Sequence, residues 1–282
     1  METLVKQLQH LCDTQPFHTG WYLKNLRTGE TAQRHGDVVV PSASTRKIAI
    51  MMAALKAVND GKVALEQPVI IRAKYQNNNS GTFQHLRPGF TIQFRDALVM
   101  MIIVSDNTCT GTVVDMVGLE QVNALCRTIG MKGTTHRHGM PPQLERDHPV
   151  GATNATTPAD VGLLLELILQ GSRDQDVAAR LGCPSALCQL GLDILSWQKL
   201  SWRLPGLLPT GTKVAHKTGT GQQGRNNNDA GIIYQGDQPL FILSVFTEHV
   251  PLAMPDGLPG YTIAGQHIAR LCRTCYDALV EP

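Results

Sequence analysis

Strand-forming segments at both ends of the chain enclose a long stretch of helical pattern, and this order strongly constrains the fold. Near the N-terminus, Gly20–Leu23 and Asp37–Val40 flank a turn at Arg27–Gly29 and predict a β-hairpin. After residue 213 the apolar pattern again becomes strand-like, over Val214–Thr220, Ala230–Tyr234 and Leu240–Glu248. The sequence therefore predicts an α+β fold, with one antiparallel sheet built from both ends of the chain and an all-helical block inserted between its halves.

Helical spacing of apolar residues predicts the remaining elements. Leu4, Leu8 and Leu11 indicate a short opening helix, and Thr157 followed by Pro158 is typical of a helix start. Further helices are predicted over 44–61, 94–104, 109–117, 119–129 and 261–279. The expected lobes are a discontinuous α/β lobe, residues 1–43 and 205–282, and a helical lobe, residues 44–204. A cleft is expected where the two lobes meet.

Composition excludes several classes of protein. The 282 residues include 25 Lys and Arg against 23 Asp and Glu, a balance that argues against a nucleic-acid-binding surface. No apolar run approaches the roughly 18 residues that a membrane helix needs. The first residues contain no apolar segment typical of a signal peptide, which predicts a cytoplasmic location, or a periplasmic one if a leader was removed. The oligomeric state is left open.

The seven cysteines are widely spread and form no small-domain disulfide framework. One C-x-x-C occurs at Cys272 and Cys275, but Cys183 and Cys188 are five residues apart, whereas a zinc ribbon has two C-x-x-C pairs. Buried free thiols are therefore expected.

The first motif that carries chemistry is S-x-x-K at Ser44–Lys47. On a helix, residues three apart share a face, so Lys47 is expected beside the Ser44 hydroxyl. A desolvated lysine can take the proton of a serine nucleophile, and free N–H groups at a helix start favour developing negative charge. The motif is also common by chance, and a second copy occurs at Ser196–Lys199.

Two further motifs follow the first along the chain. Ser105–Asn107 is an S-D-N that can present a hydroxyl and an amide to a cleft, or simply cap the next helix. Lys217–Thr220 is a K-T-G-T at a strand end, which supplies a cation, two hydroxyls and a glycine that lets a ligand approach the backbone. The overlapping G-x-G-x-x-G at Gly219–Gly224 is followed by a strand rather than a helix, which argues against nucleotide binding.

S-x-x-K, S-D-N and K-T-G in this order resemble the signature of class A β-lactamases and penicillin-binding proteins. The resemblance covers nearly the whole chain and includes the segments 101–108, 156–158, 214–221 and 228–233. It implies a five-stranded antiparallel sheet, flanked by the N- and C-terminal helices, with an inserted helical lobe.

The resemblance also implies a role for each matching residue. Ser44 would be the acylated nucleophile, Lys47 its activating partner, and Ser105 would relay a proton to the leaving nitrogen. The backbone N–H groups of Ser44 and Thr220 would form the oxyanion hole.

Substrate binding is implied by the same motifs. Asn107 would hold the substrate amide, while Lys217, Thr218 and Thr220 would hold its carboxylate and Gly219 would allow the close approach. The expected partner is a small molecule that carries a carboxylate, and no cofactor is expected.

One expected element of the family is missing from the sequence. Class A β-lactamases have an R-x-E-x-x-L-N loop whose glutamate activates the deacylating water. Aligning Leu144 with the leucine of that loop places Pro141 at the glutamate and Glu145 at the asparagine. Glu145 is a candidate for the missing base from its shifted position, or an exposed loop carboxylate. His136 and His138 lack further ligand-like spacing, so no metal is predicted.

The expected function is a serine hydrolase that cleaves an amide, which includes a β-lactam, or an ester through an acyl-enzyme on Ser44. Two alternatives stay open. One is a penicillin-binding, sensor-like protein that is acylated and turns over poorly, and the other is a peptidase of the D-Ala-D-Ala type. Substrate choice is expected to depend on the loops 72–90 and 134–157.

Overall fold

A computed structural model describes residues 1–280. The helices in this part of the chain are α1 (Glu2–Asp13), α2 (Lys47–Asn59), α3 (Phe94–Ile103), α4 (Asn107–Val117), α5 (Leu119–Ile129), α6 (Pro158–Gly171), α7 (Gln175–Arg180), α8 (Ser185–Ser196) and α9 (Gly260–Leu279). Its strands are β1 (His18–Asn25), β2 (Thr31–Arg34), β3 (Val40–Pro41), β4 (Pro68–Ile70), β5 (Thr91–Gln93), β6 (Ala155–Thr156), β7 (Val214–Thr220), β8 (Asn227–Gln235) and β9 (Gln238–Glu248).

A five-stranded antiparallel sheet in the order β2-β1-β9-β8-β7 joins the two ends of the chain, as predicted. The N-terminal β1 pairs with the C-terminal β9, so that Trp21 lies opposite Val245. Helices α1 and α9 lie on one face of this sheet, where Leu8 and Ile268 belong to the same buried apolar cluster as Trp21. Because β7 is the edge strand, its outer side is available to the turn that precedes α2.

The helices between the two halves of the sheet form a second apolar core. Helix α2 is buried almost throughout, from Ile48 to Leu55, and α3, α4, α5 and α8 surround it. A helix that is apolar on every side is stable only when other helices enclose it. Helix α6 packs against β1 and β9 and so connects this core to the sheet. The division at residues 44 and 204 stays a prediction, and residues 281 and 282 of its α/β lobe lie outside the described residues.

The predicted hairpin partner Asp37–Val40 is wrong. The strand that pairs with β1 is β2, which begins at Thr31 directly after the turn. The Asn25 side chain accepts hydrogen bonds from the N–H groups of Arg27 and Thr28, and Gly29 has φ +77°, so the turn closes early. Strand β2 is a polar edge strand without an alternating apolar pattern. The other predicted helices and strands are present, with ends shifted by a few residues in some of them.

Burial and local contacts explain the cysteines and the two histidines His136 and His138. All seven cysteines are buried free thiols, and burial raises the pKa of Cys272 well above its usual range. His138 Nε2 lies 3.0 Å from the carbonyl oxygen of Ala152, while burial lowers the pKa of His136 to about 3. Within residues 1–280 there is no metal-binding cluster of three His, Cys, Asp or Glu side chains, and no helix is long and apolar enough to cross a membrane.

Candidate active site

A cleft of about 740 Å³ lies between the end of β7, the turn before α2 and two long loops. It brings together most of the residues that the three motifs predict. Those that line it directly are Ser44, Ser105, Asn107, Thr218 and Thr220. Lys47 and Lys217 lie directly behind this surface and are fully buried.

Ser44 lies on a 3₁₀ turn, Ala43–Arg46, directly before α2. Ala43 has φ +45°, a left-handed conformation that costs a non-glycine residue about 1–3 kcal/mol. A Cβ atom on Gly219 of β7 would lie 3.0 Å from the Ser44 nitrogen. The glycine therefore allows the edge strand to approach the backbone of this turn, and the Ser44 side chain stays half-buried at the cleft surface.

Lys47 is the first residue of α2, and the S-D-N segment holds its side-chain nitrogen. Its Nζ lies 2.8 Å from the Ser105 carbonyl oxygen, 3.1 Å from Ser105 Oγ and 2.7 Å from Asn107 Oδ1. Among the described residues, no hydrogen bond joins Lys47 Nζ to Ser44 Oγ. The spacing of S-x-x-K thus predicts that Ser44 and Lys47 lie at the same site. The hydrogen-bond partners of Lys47 come instead from a segment about 60 residues further along the chain.

Burial lowers the pKa of Lys47 well below the usual lysine range, and the positive charges of Lys217 and Arg46 act in the same direction. Asp106 opposes them. A neutral amine would still satisfy the three contacts, because it has two N–H donors for the carbonyl oxygens and one lone pair for the Ser105 hydroxyl. The surroundings of Lys47 therefore favour the form that accepts a proton.

The S-D-N segment both caps a helix and lines the cleft, so the two interpretations of this motif are compatible. Asp106 Oδ1 accepts a hydrogen bond from Cys109 N at 3.0 Å and caps α4. Its Oδ2 accepts hydrogen bonds from the backbone N–H groups of Thr82 and Phe83. Ser105 adopts φ +57° before this cap, which directs the chain so that Ser105 and Asn107 both reach Lys47.

Lys217 is the first residue of the K-T-G-T segment on β7, and its side chain is fully buried behind the cleft surface. Its Nζ donates a hydrogen bond to the Thr218 carbonyl oxygen at 2.9 Å. Burial lowers the pKa of Lys217 to about 7; the nearby Asp229 raises this pKa and Arg203 lowers it further. The charge of Lys217 is therefore sensitive to pH near neutrality. Thr218 and Thr220 line the cleft in front of it.

Arg203 is a site residue that the sequence did not reveal. Its fully buried guanidinium donates hydrogen bonds to the Gly219 carbonyl oxygen at 2.6 Å and to Thr220 Oγ1 at 2.5 Å, and further bonds to the adjacent strand. It fixes the end of β7 from behind. No motif marks it, and the available signal was an arginine between the apolar residues Trp202 and Leu204 in the segment that precedes β7.

The loop that should contain a catalytic acid reaches the cleft without one. Residues 140–144 line the cleft and include Pro141, whereas Glu145 is exposed and does not line it. No aspartate or glutamate is among the described residues that line the cleft. Arg46, also missed from the sequence, holds this loop through the carbonyl oxygens of His138 and Gly139.

The site is that of a serine hydrolase of the S-x-x-K class. It combines a candidate nucleophile on a strained turn, a buried lysine and a second serine within reach of that lysine. The comparisons with known proteins agree with this class. Residues 3–279 match the Beta-lactamase enzyme family, which is nearly the whole chain. The chain belongs to this family and is a serine hydrolase.

Individual relatives are distant but cover most of the chain. Beta-lactamase AER-1 from Aeromonas hydrophila is 31% identical over 225 residues, which cover 79% of this chain and 71% of that protein. The solved structure of a β-lactamase from Sphaerobacter thermophilus is 27% identical, covers 100% of both chains and superposes with a TM-score of 0.84. That of PBP-A is 28% identical, with a TM-score of 0.82 over 99% of this chain and 96% of that chain.

Proposed function

We propose that this protein hydrolyses an amide or ester bond in a small molecule that carries a carboxylate, through an acyl-enzyme on Ser44. One observation carries the proposal. The fully buried Lys47 contacts Ser105 Oγ at 3.1 Å behind the cleft that Ser44 lines, and this supports the assignment of Ser44 as nucleophile, Lys47 as base and Ser105 as proton relay.

Acylation would begin with proton transfer from Ser44 Oγ to the Lys47 amine, directly or through a water, as Ser44 Oγ attacks the substrate carbonyl carbon. The backbone N–H groups of Ser44 and Thr220 would stabilise the oxyanion. Ser44 is the second residue of its 3₁₀ turn, where N–H groups have no partner within the helix. The Ser105 hydroxyl would then protonate the leaving group and recover its proton from Lys47.

Deacylation would need a water molecule and a base to transfer the acyl group from Ser44 to hydroxide. The described cleft lining contains no carboxylate, so we propose that penicillin-type acyl-enzymes of this protein hydrolyse slowly. A less hindered acyl group could use Lys47 as the base. A β-lactam-type ligand is supported by PBP-A, a point mutant of which has been solved as an acyl-enzyme complex with penicillin G.

The nucleophile is tested by mass spectrometry after incubation with benzylpenicillin or a reactive ester. We expect a mass increase of one acyl group on Ser44, and none in the Ser44→Ala variant. Ser196→Ala is the matched control, because Ser196 begins the second S-x-x-K, on α8, and does not line the cleft.

The persistence of the adduct separates the two functions. An adduct that remains for hours with penicillin but is lost with a small ester supports the hydrolase and explains slow β-lactam turnover. An adduct that remains with every probe would instead support a sensor-like protein. Absence of any Ser44 adduct would contradict the nucleophile assignment.

The charge of Lys217 predicts a pH dependence of carboxylate binding. Because the pKa is lowered to about 7, Lys217 is charged below this pH and becomes neutral as the pH rises above it. In the Ser44→Ala variant, we expect the affinity for benzylpenicillin to fall by about tenfold or more between pH 6 and pH 9. Isothermal titration calorimetry at each pH measures this change.

The control for this experiment is the benzylpenicillin analogue with a neutral carboxamide in place of the ring carboxylate. Its affinity should be nearly independent of pH, because it has no anion for Lys217 to attract. Equal pH dependence for both ligands would show that attraction between Lys217 and the carboxylate does not cause the effect.

A further inference from the structure

The charges at the cleft surface are unbalanced. The described residues that line it include two cations, Arg46 and Lys74, and no carboxylate. Lys74 is exposed and forms an ion pair with Asp115 at 3.0 Å, so its charge is compensated on the surface. Arg46 has no such partner, since no acidic group offsets the effect of its burial.

Arg46 is an unusual group for this position because it is charged and almost fully buried, with 4% of its surface exposed. Its Nη1 and Nη2 donate hydrogen bonds to the carbonyl oxygens of His138 at 2.7 Å and Gly139 at 2.5 Å. A guanidinium has five N–H donors, and neutral carbonyl groups do not cancel its charge. Burial lowers the pKa of Arg46 to about 10, so it remains a cation at neutral pH.

The side chains around Arg46 do not neutralise its charge. The charge of Arg46 helps to lower the pKa of both Lys47 and His136, which shows that these groups lie within range of one another. Asp106 acts on Lys47, and its two carboxylate oxygens already accept hydrogen bonds from three backbone N–H groups. A ligand anion is therefore the partner that this end of the cleft lacks.

We propose that the cleft recognises substrates with two anionic groups, with the second group bound at Arg46. This inference rests on the proposed function, which assigns the first carboxylate to Lys217, Thr218 and Thr220. Arginine suits the second position because its planar N–H groups can bind a carboxylate through two parallel hydrogen bonds. Arg46 lines the cleft, and the carbonyl groups of His138 and Gly139 fix its guanidinium, which limits the loss of side-chain freedom on binding.

The test uses three penicillins that differ at one carbon of the side chain: benzylpenicillin and its α-carboxy and α-amino derivatives. Calorimetry on the Ser44→Ala protein measures binding without acylation. We expect the α-carboxy compound to bind at least about tenfold more tightly than benzylpenicillin, because a charge-assisted hydrogen bond contributes enough free energy for such a gain in affinity. The α-amino compound should bind more weakly than benzylpenicillin, because its cation is repelled by Arg46. Equal affinities, or the reverse order, would overturn the proposal.

Arg46 is then identified by the ratio of the two affinities, α-carboxy over unsubstituted. In Ser44→Ala/Arg46→Gln this ratio should fall to near one, and Arg46→Lys should retain part of it. Lys132→Gln removes an exposed positive charge outside the cleft and should leave the ratio unchanged. A general distortion of the cleft would weaken both ligands equally and would leave the ratio unchanged. An unchanged ratio in Ser44→Ala/Arg46→Gln therefore contradicts the assignment of the second anion site to Arg46.

The two proposals fail in distinguishable ways. If Arg46→Gln does not give a cooperative thermal transition, the comparison of ligands on the Ser44→Ala protein still decides the inference. A preference for the α-carboxy compound without any adduct on wild-type Ser44 would contradict the acyl-enzyme alone. An adduct formed without any preference among the three penicillins would contradict only the second anion site.

Discussion

Replacing Lys47 with alanine is expected to lower the rate of Ser44 acylation by at least about a thousandfold, since general-base assistance contributes roughly 10²–10⁴-fold. The loss is expected near the upper part of this range because Lys47 contacts Ser105 as well, so that both the activation of Ser44 and the proton relay depend on it. Stopped-flow or quench-flow mass spectrometry with benzylpenicillin gives the rate.

The second S-x-x-K provides the matched control. Lys199 occupies the same place in that motif but is exposed, so Lys199→Ala should acylate at the wild-type rate. Lys47→Arg tests the chemistry more sharply, because an arginine keeps the positive charge but does not act as a base. We expect it to be nearly as slow as Lys47→Ala. Normal acylation by either Lys47 variant would exclude Lys47 as the activating base.

The fold should survive the Lys47→Ala substitution. Lys47→Ala leaves Asn107 Oδ1 without its lysine donor, which costs about 1–3 kcal/mol for a buried acceptor. The Ser105 carbonyl oxygen keeps a hydrogen bond from Ser80 Oγ at 2.7 Å. Removal of a desolvated amine between two other cations acts in the opposite direction. Thermal unfolding followed by circular dichroism separates a loss of catalysis from a loss of structure.

The fold could be predicted where local pattern and burial agree. Strand β7 coincides with its predicted bounds, because its residues form a continuous buried segment. Strand β2 was missed because an edge strand with polar residues has no apolar signature and is defined by its pairing with β1. The turn at Asn25 is short enough that pairing starts before the apolar residues Val38 and Val39, which remain exposed.

The candidate site could be predicted where a motif places its members close in sequence. The three motifs indicated Ser44, Lys47 and Ser105, and the structure brings these residues together. Arg46 and Arg203 were missed for a common reason. Each is a buried cation whose partners include backbone carbonyl oxygens of distant segments, and no spacing in the sequence encodes such contacts. Glu145 illustrates the converse, because its place in the loop did not determine which way the side chain faces.

The missing carboxylate in the described cleft lining predicts a large effect on the rate of deacylation. Pro141 lines the cleft at the position that the sequence alignment assigns to the glutamate of the class A β-lactamase loop. Pro141→Glu should therefore supply a base for the deacylating water and accelerate hydrolysis of the benzylpenicillin adduct by about a hundredfold or more, within the range typical of general-base catalysis. Adduct decay, followed by mass spectrometry after excess penicillin is removed, measures the rate.

The matched control for this prediction is Pro142→Glu. Pro142 also lines the cleft, and its substitution likewise removes a loop proline and adds one carboxylate. Any general effect of loop flexibility or negative charge appears in both variants, so only a specific base at position 141 makes Pro141→Glu faster than Pro142→Glu. If wild-type protein already loses the adduct within seconds, another group supplies the base, and the absence of a lining carboxylate does not limit turnover. If decay is slow in all three proteins, the loop does not bring position 141 close enough to the acyl carbon to activate a water molecule there.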